Sequence, residues 1–132
     1  VRFQLNPTTS GADWTVCVLG AATTCPTSGS SVLQSFNGSG GTQGVLVGAS
    51  TNPTSVPVSG SSSALAGGLP AGITFTSLGR PSDYGNTSLL RIDVTDAQPD
   101  SRRLSTTISA GGLVNMCDPQ IKFTQNSPQG CP

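Results

Sequence analysis

The sequence contains no histidine, and all six of its acidic residues are aspartates. The side chain that most often acts as a general acid or base near neutral pH is therefore missing. Charged residues make up 9% of the chain, and the formal net charge is zero. A neutral domain lacks the basic surface expected of a nucleic-acid-binding protein. We therefore expect a protein that is not an enzyme and that has no cofactor and no metal site.

Long apolar runs are also missing, so no segment is long enough to span a membrane, and no signal peptide is visible. Helical periodicity is nearly absent, whereas 17 glycines and 10 prolines indicate many turns. The 132 residues predict one mainly β domain, spanning residues 1–132. The chain starts abruptly with a strand-like segment and no methionine. We expect a helix or an anchor to precede it in a longer protein.

Short alternating segments predict strands along the first 80 residues. Ser, Gly and Pro dominate residues 48–68, which predicts a long surface loop or an irregular edge strand around Val56 and Val58. Trp14 alternates with Val16 and Val18 and is therefore expected in the core. The predicted strands are residues 1–5, 14–19, 32–36, 45–47 and 73–78.

The C-terminal third predicts an antiparallel meander over residues 89–117. Its three apolar runs, 89–94, 104–109 and 113–117, are separated by a polar turn and by Ala110-Gly111-Gly112. In the first run Leu90, Ile92 and Val94 share one side of the strand, opposite Arg91 and Asp93. After the third run, the Asp-Pro pair at 118–119 predicts a turn.

The four cysteines fall into two local pairs. Three connectivities are possible, and sequence proximity favours Cys17 with Cys25 and Cys117 with Cys131, the second pair closing the loop 117–131. Zinc is the alternative, but it prefers closer cysteine spacing and usually histidine. Two disulfides predict an oxidising compartment, such as the periplasm or the cell surface.

Clustered charges near the meander offer two candidate binding sites. Asp93, Asp96 and Asp100 could suggest calcium, but their spacing does not match an EF-hand loop, which favours a solvated turn. The cations Arg102, Arg103 and Lys122 could contact DNA or a partner protein. Because the net charge is zero, exposed arginines at a strand end are the simpler interpretation.

Four segments resemble one known family: ITFTSLGRP at 73–81, RRL at 102–104, SAGGLVNMCDP at 109–119 and GCP at 130–132. They are similar to the globular domain of FimT/FimU-type minor pilins, which the H-type pseudopilins of type II secretion share. The resemblance is clearest over residues 73–132. In the first 72 residues, Trp14 and the strand that it opens match the W-x-V start of the family.

The resemblance implies a structural subunit of a filament. A leader and a long hydrophobic helix would precede residue 1, anchoring the subunit in the inner membrane and later packing into the filament core. The remainder would be a sandwich-like head of two antiparallel sheets, periplasmic before assembly and on the cell-surface pilus afterwards. Other minor pilins and the major pilin would be its partners, and the subunit would prime and cap the type IV pilus.

Some FimT-like proteins bind DNA during natural transformation through a Gly-Arg-x-Arg motif. The matching positions here are Gly112, Leu113, Val114 and Asn115, so both arginines are missing. A DNA-uptake pilin and an H-type pseudopilin of type II secretion remain alternatives. A secreted adhesive or effector β-domain is the alternative outside pilus biology, and it would carry a cleavable signal instead of a retained helix.

Overall fold

The computed structural model describes residues 1–6, 13–37, 44–53, 72–85, 87–96, 98 and 101–131. These residues contain no helix with the length and hydrophobicity that a membrane crossing requires. They form nine strands: β1 (Arg2–Asn6), β2 (Asp13–Cys17), β3 (Val32–Phe36), β4 (Val45–Ser50), β5 (Gly72–Thr74), β6 (Arg91–Asp96), β7 (Leu104–Ile108), β8 (Val114–Lys122) and β9 (Gly130–Cys131).

The strands form two sheets, with the orders β3-β2-β1-β5 and β4-β6-β7-β8-β9. Neighbouring strands are antiparallel except for β8 and β9, which are parallel. The prediction of a mainly β, sandwich-like domain of two largely antiparallel sheets is therefore confirmed.

The core lies between the two sheets. Leu5 and Ile73 come from the four-stranded sheet, and Val47, Ala49 and Ile108 come from the five-stranded sheet. The chain crosses between the sheets just before β6, where the backbone N–H of residue 89 donates to Gly72 O and that of residue 90 donates to Ser50 O. Both crossing residues are leucines with fully buried side chains, so the crossing itself contributes to the core.

Aromatic side chains line the core side of the four-stranded sheet. The ring centroid of Trp14 lies 6.1 Å from that of Phe3 and 6.0 Å from that of Phe36. These spacings are typical of favourable aromatic pairs across neighbouring strands. Trp14 is partly buried and packs against the core, as its alternation with Val16 predicted.

The predicted meander is present as β6, β7 and β8, but the turn predicted at residues 118–119 is wrong, because β8 continues to Lys122. The last residue of β8 that pairs with β7 is Cys117. Beyond that point Pro119 has no β7 neighbour that needs its missing N–H, so proline is tolerated there. The N–H of Asp118 instead donates to Gln129 O, which extends β8 beside β9.

Other predicted boundaries also differ from the structure. The first meander run, predicted over 89–94, is strand β6 over Arg91–Asp96. The strand predicted over 73–78 ends at Thr74, because Gly79, with φ +75°, folds the chain back and leaves Leu78 84% exposed. The strand that starts at residue 14 ends at Cys17 rather than at residue 19. The strand β4 continues through residues 48–50, which belonged to the predicted loop 48–68; residues 54–68 lie outside the described residues.

Candidate interaction surface

The five-stranded sheet has an inner side, which faces the four-stranded sheet, and an opposite outer side. Residues that pair directly across strands share one side. Val47, Val94 and Leu104 form one such row across β4, β6 and β7 on the inner side. Val47 is 3% exposed, Val94 37% and Leu104 43%. The four-stranded sheet therefore covers the β4 end of the inner side and leaves the other end open.

Two more inner-side rows show the same gradient. Ile108 is buried, whereas its partner Val114 on β8 is 53% exposed. Met116, which pairs with Thr106, is 68% exposed. We call the exposed group Val94, Leu104, Val114 and Met116 the apolar surface. It continues the core side of the sheet beyond the edge of the second sheet.

An ion pair lies beside the apolar surface. Arg102 Nε is 2.7 Å from Asp118 Oδ2, and the side chain of Arg102 is mostly exposed while that of Asp118 is buried. The backbone N–H of Gln120 donates to Asp118 Oδ1, and this bond, together with Arg102, holds the pKa of Asp118 below its usual value. The ion pair borders a cleft of about 490 Å³ lined also by Leu104, Met116, Cys117 and Gln129.

The three cations singled out in the sequence have different surroundings. Arg102 forms the ion pair with Asp118, so part of its charge is already compensated. Arg103 is half-buried and has contacts of its own. Lys122 is exposed at the end of β8, where it pairs in register with Cys131. Asp100, the other residue of this charged turn, lies outside the described residues.

Both disulfides join the predicted partners. Cys17 is bonded to Cys25, which closes a loop against the four-stranded sheet, and Cys117 is bonded to Cys131, which ties β8 to β9. The chain therefore has no free cysteine. The connectivity that sequence proximity favoured is the one in the structure, and thiol-based zinc binding is thereby excluded for the cysteines in this oxidised form.

The outer side of the five-stranded sheet buries charge instead of apolar groups. Arg91 Nε lies 3.0 Å from Asp93 Oδ2, Arg91 Nη2 donates to Ser105 Oγ at 2.7 Å, and Ser105 Oγ donates to Asp93 Oδ1. We call these three buried residues the charged cluster. The sequence had favoured a solvated turn for Asp93, and this prediction is wrong because Asp93 is buried in the cluster. Within the described residues, no group of three metal-ligating side chains comes together.

The sequence did not predict the apolar surface, although its residues were assigned to the meander. Alternation predicted that Leu90, Ile92 and Val94 share a side, but it could not predict how much of that side the four-stranded sheet covers. The predicted pairing of three strands would have placed Val94, Leu104 and Met116 together. Three apolar residues on one side of the predicted meander were therefore the signal from which an apolar surface could have been predicted.

Comparison with known protein families, with curated proteins and with solved structures finds no match to this chain.

Proposed function

We propose that this chain is the globular head of a FimT/FimU-type minor pilin, a non-enzymatic subunit that primes type IV pilus assembly. The observation that supports the proposal best is the apolar surface. Exposed contiguous apolar patches mark sites where a protein meets another protein or a membrane. A filament subunit needs such a site, because its head acts only when it is packed against other parts of the assembly.

The shape of the apolar surface suits a helix as its cover. The residues lie on adjacent strands of one sheet side, and the uncovered area continues directly from the core. A helix that packs on a sheet buries one apolar stripe against such a side, completing a two-layer arrangement. The long hydrophobic helix expected of a pilin would present such an apolar stripe. Packing of that helix into the filament would bring the head to its neighbouring pilins.

The two disulfides support a site of action outside the reducing cytoplasm. A periplasmic head that later stands on the cell surface is part of the proposal. DNA uptake is not proposed, because Arg102 already pairs with Asp118 and the net charge is zero.

The test is a strain that lacks the gene, complemented with the unaltered chain or with single variants. Surface pilin is measured in the sheared fraction, beside the cellular level of the complementing protein. We expect the deletion to remove surface pili and Met116→Asp to fail to restore them. Val18→Asp is the matched control, because Val18 is also exposed but lies beyond the end of β2, outside the apolar surface.

Each other outcome has a distinct meaning. Normal surface pili in the deletion strain, together with a loss of secreted proteins, would replace the pilus with type II secretion. Normal pili and normal secretion would overturn the assembly role. If Met116→Asp and Val18→Asp both restore pili fully, the apolar surface is not the contact that assembly uses.

A further inference from the structure

The outer side of the four-stranded sheet carries a cation without an acidic partner. In β1, Phe3 and Leu5 point to the core, so Arg2 points outward. Arg2 Nε donates to Gln4 Oε1 at 3.2 Å, and Arg2 Nη1 donates to Thr74 Oγ1 at 3.2 Å. Both acceptors are neutral. Among the residues that the structure describes, no carboxylate lies within ion-pair distance of Arg2.

This arrangement leaves the guanidinium partly desolvated but uncompensated. Burial lowers the pKa of Arg2, although the group stays cationic at any physiological pH. A guanidinium has five N–H donors, and two of them are used by Gln4 and Thr74. Three donors therefore remain for an acceptor from outside the described residues. An anion would supply both the missing charge and the missing acceptors.

Arg2 lies in a cleft of about 330 Å³ that is rich in hydroxyl groups. The cleft is formed by β1, β5, the first disulfide loop and the turn before β6. Its hydroxyl-bearing lining residues are Thr23, Thr74, Ser82, Thr87 and Ser88. The O–H of Ser88 already donates to Asp83 O at 2.6 Å, so the other four hydroxyls are the ones that can meet a ligand. Because Thr74 Oγ1 accepts from Arg2, its own O–H can donate to a ligand. The lining also includes Asp83, whose negative charge limits the affinity for an anion.

The walls of the cleft are held by bonds that do not depend on a ligand. The N–H of Cys25 donates to Gln4 Oε1 at 2.9 Å, which docks the disulfide loop on β1. The N–H of Ser82 donates to Thr74 O at 2.8 Å, which docks the turn on β5. Preformed walls lower the entropic cost of binding a small ligand.

We propose that this cleft binds a phosphoryl group, either inorganic phosphate or the phosphate of a phosphomonoester such as a sugar phosphate. A phosphoryl group offers three strong acceptor oxygens, which match a guanidinium fork surrounded by several hydroxyl donors. A carboxylate offers two acceptor oxygens in one plane and would leave more of these donors unused. The inference does not depend on the proposed pilus role.

The test is an NMR titration of the 132-residue chain with sodium phosphate at constant ionic strength, with sodium chloride as the blank. We expect saturable shifts of the amides that line the cleft. Arg2→Gln should weaken binding by about tenfold or more, because it removes the charge and the fork. Arg102→Gln is the matched control and should leave the affinity unchanged, because Arg102 directly precedes β7 in the five-stranded sheet and does not line this cleft.

Glucose 6-phosphate and glucose, titrated separately, distinguish the two sources of the phosphoryl group. Tighter binding of glucose 6-phosphate than of phosphate, with no binding of glucose, identifies a phosphomonoester. Equal or weaker binding of glucose 6-phosphate identifies free phosphate. The proposal is overturned if phosphate causes no saturable shift, or if Arg2→Gln binds as the unaltered chain does. Should Arg2→Gln fail to fold, Thr74→Val and Arg2→Lys replace it, and unchanged affinity in both variants overturns the proposal equally.

Discussion

Part of the five-stranded sheet, within β6 and β7, reverses the usual relation between polarity and burial. On the outer side, Arg91, Asp93 and Ser105 are buried, and on the inner side of the same strands Val94 and Leu104 are substantially exposed. The difference teaches that burial in this domain is set by what covers each side, not by the polarity of the side chains. A side with a cover can hold charge, provided that the charge is paired.

The charged cluster meets that condition. Besides its contacts within the cluster, Arg91 Nη1 donates to Pro53 O at 3.2 Å, so the cluster also ties the chain after β4 to the sheet. In the described part of the chain, no buried side-chain polar atom lacks a hydrogen-bond partner. Replacing one member would leave the other charge buried without compensation.

The largest expected effect therefore comes from Asp93→Ala. We expect it to lower the free energy of unfolding by about 3–5 kcal/mol, because the guanidinium of Arg91 stays buried without its carboxylate. The free energy of unfolding is measured by urea denaturation under oxidising conditions, so that both disulfides stay intact.

The control for Asp93→Ala removes all the polar groups together, as Arg91→Met, Asp93→Leu and Ser105→Ala in one protein. Because no unpaired charge is left, this triple variant should be more stable than Asp93→Ala alone. A triple variant that is as unstable as Asp93→Ala would mean that shape, and not charge pairing, holds this side together.

The second-largest effect is expected from the disulfide that lies beside the charged cluster. Cys117 pairs with Ser105 across the strands, so the Cys117–Cys131 disulfide lies beside the cluster on the outer side. The double variant Cys117→Ala/Cys131→Ala should lose about 3 kcal/mol in unfolding free energy through its larger unfolded-state entropy. Urea denaturation without reductant measures the loss.

The other disulfide provides the matched control. Cys17→Ala/Cys25→Ala opens a shorter loop, with a sequence separation of 8 rather than 14, and should cost slightly less, about 2.5 kcal/mol. Of the two disulfides, it is Cys117–Cys131 that borders the charged cluster. Asp93→Ala should therefore cost less in the background that lacks Cys117 and Cys131, whereas strictly additive losses would show that the disulfide does not shield the cluster.

Much of the fold could be predicted from the sequence because its signals are local. Alternation located the strands and the meander, and spacing within each turn-rich loop gave the cysteine pairs. The side that is covered could not be predicted, since alternation is symmetric between the two sides of a strand. The turn predicted at Asp118-Pro119 failed because β9 supplies a partner that local chemistry does not reveal.

The two candidate sites depend on contacts that are distant in the sequence. Arg2 meets Thr74 only because β1 pairs with β5, 72 residues later in the chain. The apolar surface exists because the smaller sheet ends before β8, which is a property of the packing and not of any segment. Sequence reasoning therefore selected Arg102, Arg103 and Lys122, which stand out in the sequence as local charges.

The third effect is expected to be small. Met116→Thr should change the free energy of unfolding by less than about 0.5 kcal/mol, because the side chain of Met116 is already 68% exposed. Its control, Ile108→Ala, removes a buried side chain from the same inner side and should cost about 2–5 kcal/mol. Thermal and urea unfolding of both variants make the comparison. A large loss for Met116→Thr would mean that the apolar surface is packed within the chain itself and is not available to a partner.

The smallest expected effect is the pH dependence that Asp118 causes. Its pKa is lowered in the folded protein, first by the Gln120 N–H and then by Arg102, so its contribution to stability is complete above the unfolded pKa of about 4. The contribution is lost as the pH falls through the folded pKa. The difference in unfolding free energy between the unaltered chain and Asp118→Asn should therefore shrink as the pH is lowered below about 4.

Because Arg102 is mostly exposed, added salt should weaken the contribution of Arg102 to this difference and leave the contribution of the Gln120 N–H. A difference that stays constant with pH would mean that Asp118 stabilises β8 by its shape and hydrogen bonds alone, and the charge at the border of the apolar surface would then serve recognition rather than folding.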